Sequence, residues 1–181
     1  MLAPMTRLAC AALILASASW PFTQVGMAAI PQGEVLVAAA RGWRRPMAAE
    51  LAAEWRHESK DRFAVARGDF DGDGKPDEAR LMLSADGARA AIIVMLSSAG
   101  QKVVFQDPDA SAVLAGMGIE VLPPGRRRTA CGKGAFACAE GEPEVLATSW
   151  DGIDYFKYGG ADSVFYLPKR SGKFQRVRLS E

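Results

Sequence analysis

The chain has 181 residues, 49% of them hydrophobic and 24% charged, with 22 Lys and Arg against 21 Asp and Glu. That composition excludes collagen-like, low-complexity and strongly charged disordered chains, and it suits one globular domain. Nothing in the even balance of charge calls for a polyanion, so no nucleic-acid partner is expected.

At the N-terminus, Arg7 precedes an apolar run over residues 8–16 that is too short to span a bilayer, and small residues follow it. A charged start, a short apolar centre and a small-residue exit read as a secretory signal over residues 1–28. Cleavage fits after Ala16-Ser-Ala18 or after Gly26-Met-Ala28. The mature chain is then expected in the periplasm or secreted, with no transmembrane anchor. Cys10 lies inside the apolar run, whereas a lipid-attachment cysteine should follow it, so a lipoprotein anchor is not expected. Residues 29–45 mix Pro, Gly, Ala and Arg without a period and read as a linker or lead-in.

A single α+β domain is expected over residues 46–181, mainly antiparallel sheet with one N-terminal amphipathic helix. Pro46 suits the first helical position, and Met47, Leu51 and Trp55 recur every four residues opposite Glu50, Glu54 and Arg56. His57, the only histidine, falls at the end of that helix, where the dipole favours a cation; it is a poor candidate base. From Phe63 the period becomes two, and Ala79, Leu81 and Leu83 continue it after an acidic loop. Asp86-Gly87 predicts a hairpin turn, 90–96 an apolar central strand, Ala99-Gly100 a second turn, and 102–105 a returning strand. Together these make a four-stranded antiparallel meander.

Beyond it the pattern weakens: a helical turn at 110–114, a short strand at 119–122, and strands at 145–150, 163–167 and 174–179. The last three are separated by Asp151-Gly152 and by a turn at 169–172, and make a second layer or an extension of the first. Arg126, Arg127 and Arg128 follow Pro123-Pro-Gly125 and read as a solvated turn. Cys131 and Cys138 flank a glycine-containing loop; in an oxidising compartment they are expected to form a disulfide, the alternatives being free thiols or half of a metal site.

The most informative stretch is Asp69-Phe-Asp-Gly-Asp-Gly-Lys-Pro-Asp77, with Asp69, Asp71, Asp73 and Asp77 at positions 1, 3, 5 and 9. Calcium takes six to eight hard oxygens at about 2.3–2.6 Å, and alternate residues of a curled backbone can aim carboxylates at one point. Lys75 at position 7 would offer its carbonyl, and Gly72 and Gly74 permit left-handed turns. Four carboxylates so close repel one another without a cation. Position 12 is Arg80 where an EF-hand needs a bidentate Glu, and a strand pattern follows, so an EF-hand is not expected.

Gly68-Asp-Phe-Asp-Gly-Asp-Gly-Lys-Pro-Asp77, with the strand, Gly turn and strand ending in Phe105 that follow, resembles the calcium loop of FG-GAP/VCBS-type repeats. The likeness spans residues 66–105. It implies a blade-like calcium unit with Asp69, Asp71, Asp73 and Asp77 as ligands. A propeller needs at least four blades, and this chain holds one full loop, so a propeller is not expected.

No Gly-x-Ser-x-Gly elbow, phosphate loop or His pair is present. The expectation is therefore an exported, non-enzymatic protein whose calcium ion stabilises a strand-loop-strand unit. The alternatives are a cell-envelope module recognising a protein or glycan through Trp150, Tyr155, Phe156, Tyr158, Phe165 and Tyr166, and a metal-dependent hydrolase. Asp151 and Asp154 are too generic a pair to rank as a second cation site.

Overall fold

The computed structural model describes residues 42–169 and 171–181; the expected signal segment, Cys10 and most of the lead-in lie outside them. The chain forms β1 (Trp43–Arg44), β2 (Val65–Gly68), β3 (Asp77–Ser84), β4 (Ala90–Leu96) and β5 (Gly100–Asp107), then α1 (Ala110–Gly116). β6 (Met117–Leu122), β7 (Gly125–Arg128), β8 (Val145–Thr148), β9 (Gly152–Lys157), β10 (Asp162–Tyr166) and β11 (Gln175–Arg178) follow.

The first sheet has the order β1-β3-β4-β5, with β2 also beside β3, and the second the order β11-β10-β9-β6. β7 and β8 form a separate two-stranded ribbon. All pairings are antiparallel.

The period-two pattern dictates which side chains meet. Register pairs Ala79 with Val94, Leu81 with Ile92 and Leu83 with Ala90. These six pack in one core with Ile119, Ile153, Tyr155 and Phe165 of the second sheet, and Ala110 and Val113 of α1 join them. The two sheets are thus layers over a shared apolar interior. The odd-numbered half of β4 is buried too: Ala91 and Ile93 pack with Met82, Trp43 and Met95 on the other face. That is why residues 90–96 read as one continuous apolar run.

The expected meander is present as β2 to β5, with Gly87 at φ 76° and Gly100 at φ 69° in its two turns. Asp109 caps α1 by accepting the Ala112 N–H.

The expected helix from Pro46 does not form as one α-helix. Residues 48–51 turn, Ala53 is non-helical at φ −53° and ψ 132°, and Glu54–Glu58 is a 3-10 helix. Leu51 of the predicted stripe is buried, but Met47 is 60% exposed. The cause is Arg56, expected on the polar face and found fully buried. Its guanidinium donates to the carbonyls of Arg62, Val113, Leu114 and Met117, gathering the first segment onto the end of α1. A short helix is marginal alone, so that tertiary demand overrides its propensity.

Other strand expectations shift for similar reasons. Phe63 adopts φ 51° and so precedes the strand, which begins at Val65. The predicted strand at 145–150 ends at Thr148. Arg126 to Arg128 do not form a solvated turn: they are strand β7, paired with β8. β9, hidden behind the turn signal at Asp151-Gly152, is central to the second sheet.

A candidate metal centre at the junction of two strands

β2 and β3 pair up to Gly68 opposite Asp77, so the acidic loop is the connection of a hairpin whose first and last members are Gly68 and Asp77. The sequence curls because its carboxylates replace the missing ladder partners. Asp69 Oδ1 accepts the N–H groups of Gly72 and Asp73, and its Oδ2 accepts that of Gly74. Asp71 accepts the Asp73 N–H, and Asp73 accepts that of Lys75. Gly72 and Gly74, both at φ 79°, supply the left-handed steps.

Asp77 is the buried anchor, 3% exposed. One oxygen takes the Phe70 N–H and the other the Ser97 N–H, each at 2.8 Å, which ties the loop to the β4–β5 turn. Burial raises its pKa, Asp71 and Asp73 add to that, and the two N–H donors oppose it. Asp73 shows the reverse: the Ser97 hydroxyl and the Lys75 N–H hold its carboxylate below the ordinary value. The Ser98 hydroxyl donates to Asp71.

Asp69, Asp71 and Asp77 each offer one oxygen such that all three lie within 4.8 Å of one another. Three converging carboxylate oxygens of this kind could hold a metal ion, and an all-oxygen set fits a hard cation. Asp73 stands outside that trio, its second oxygen taken by Ser97. Lys75 lies at the solvent-facing tip.

Sequence reasoning missed what the loop leans on. Asp69 exchanges bonds with the β8–β9 connection: its N–H donates to Asp151 Oδ2, and its carbonyl accepts the Asp151 N–H. A Cβ on Gly72 would lie 2.5 Å from Trp150 Cε3, so the glycine is demanded by the indole as well as by φ. Trp150 is fixed in turn by donating to the Leu167 carbonyl. Asp151 is 82 residues from Asp69, and nothing in the neighbourhood of Trp150 and Asp151 signals the contact.

The remaining candidates are dispersed. Cys131 and Cys138 are disulfide-bonded, their Cα atoms 4.9 Å apart. His57 lies 3.3 Å from the Arg62 guanidinium. Of the aromatic residues, Tyr155 and Phe165 are core, Phe156 packs edge-on against Trp55 and Phe63, and Tyr158 is 51% exposed. Asp151 and Asp154 do not form a second site: the former braces the loop, and the latter is buried in β9. No helix of the described residues is long and apolar enough to cross a membrane. No family model, curated protein or solved structure matches this chain.

Proposed function

We propose that this is an exported calcium-binding protein in which the ion is structural, clasping the β2–β3 loop and through it the two sheets. The observation that carries the reading is the convergence of Asp69, Asp71 and Asp77 at a strand junction that also grips the β4–β5 turn and the β8–β9 connection. In this reading Asp73 completes the shell when the ion is bound, as the resemblance to FG-GAP/VCBS loops implies, and the Lys75 carbonyl joins it from position 7 of the loop. The disulfide supports an oxidising, extracytoplasmic location. The ion's chemistry in this reading is charge neutralisation of crowded carboxylates.

Thermal melts in calcium, in magnesium and in chelator test it. At an ion concentration 100 times its Kd, the folded state gains about 2.7 kcal/mol, and the gain disappears in Asp71→Ala. An unchanged midpoint in calcium would falsify the reading; an equal gain in magnesium would remove calcium but keep the metal.

A further inference from the structure

The outer face of the second sheet holds a carboxyl group in surroundings unlike those of the loop. Asp154 lies in β9 opposite Glu120 of β6 and Val164 of β10. Its side chain is 9% exposed, and Oδ1 has no hydrogen-bond partner. Strand alternation puts Asp162 on the same face, and its Oδ1 is likewise buried and unpartnered.

The β7–β8 ribbon covers this face. Leu146 of β8 packs with Val164 and with Val177 of β11. Arg127, opposite Leu146 in the ribbon register, turns the same way. It makes no ion pair with Asp154 among the described residues, although its charge acts on it. β8 and β11 add no charged side chain there: alternation turns Leu146 and Thr148 of β8, and Gln175 and Val177 of β11, to this face. At the far end of β9, Phe156 meets Trp55 and Phe63, and the nearby Arg56 spends its donors on carbonyls. The charges facing Asp154 are therefore Glu120, Asp162 and Arg127.

An ionised carboxylate in this place has one oxygen without water or a donor, and it faces two like charges. We propose that Asp154 is a proton-dependent catch for the ribbon: protonated, it lets β7–β8 lie closed on the second sheet, and ionised, it favours the ribbon lifting until water reaches the carboxylate. The other end stays tethered, because Ala130 donates to the Arg178 carbonyl and Lys133 to that of Leu179. Opening is thus local and releases one proton from Asp154 to solvent.

Burial first, then Asp162 and Glu120, against Arg127, push Asp154 from 3.8 to about 7 in the closed state. Once opened, the group returns to an ordinary carboxylate. The sign follows: closure is fully favoured below about pH 4, weakens by about tenfold per pH unit as pH rises towards 7, and is level above that. This device is independent of the loop ion.

Amide hydrogen exchange of residues 126–128 and 145–147, corrected for intrinsic rates, tests it at pH 5 and pH 7.5 with the β3–β4 amides as reference. In the wild type, ribbon protection should fall at least tenfold more than the reference; in Asp154→Asn it should not. The same fall in Asp154→Asn overturns the catch, as does a flat wild type. Should that variant fail to fold, carboxyl-carbon NMR of the wild type decides: a midpoint near 7 that drops in Asp162→Asn supports it, and a midpoint near 4 ends it.

Discussion

Two acidic regions of the described residues supply their carboxylates with hydrogen-bond donors very differently. In the loop, the carboxylates of Asp69, Asp71, Asp73 and Asp77 are met by backbone N–H groups and serine hydroxyls, and even the buried Asp77 has a donor on each oxygen. On the second sheet, Asp154 and Asp162 each bury an oxygen with no donor, and the ionised form of Asp154 is penalised. Acidic residues close in space therefore have no single meaning; what decides is whether donors or only desolvation accompany them.

That contrast can be broken most directly at Asp77. Asp77→Ala removes the acceptor of a buried and a part-buried N–H group as well as a converging oxygen, and should cost about 3 kcal/mol in urea titrations without metal. A cost below about 1 kcal/mol would mean that the loop does not need its anchor. Asp154→Asn, by contrast, should be stabilising at pH 8, since it abolishes the penalty of ionisation.

The contact between loop and second sheet comes next. Gly72→Ala meets Trp150 at 2.5 Å and must hold φ at 79°, so about 2 kcal/mol of destabilisation is expected, with a shift in Trp fluorescence. Gly74→Ala, at the same φ but with nothing within 4 Å, should cost about 1 kcal/mol. Equal costs would show that the indole contact contributes nothing. The smallest effect concerns Glu120: Glu120→Gln removes one like charge and should lower the Asp154 midpoint by less than about one unit. Because the folded-state pKa is the raised one, the loss of stability on raising pH should end at a lower pH; no movement would place Glu120 outside the cluster.

Much of the first sheet was legible because its signals are local. Alternation over 79–83, the run at 90–96 and the turns at Asp86-Gly87 and Gly100 each read out a neighbour relation a few residues long. The loop was legible for the same reason: apart from the Asp77 bond to Ser97, its carboxylates take N–H groups within 7 residues. β9 was not, since Asp151-Gly152 signals a turn while the strand it opens is specified by partners in β6 and β10. Nor was Arg56 readable as buried, because the carbonyls that satisfy it lie up to 61 residues away.

From the amino-acid order alone came the acidic loop between two strands, the cysteine pair and the predominantly antiparallel character, all consequences of short-range stereochemistry. Tertiary structure decided which carboxylates converge, that Trp150 and Asp151 brace them, and that one oxygen of Asp154 is buried without a partner. Those outcomes depend on one sheet's face meeting another's, and burial of a polar group is a property of everything packed around it.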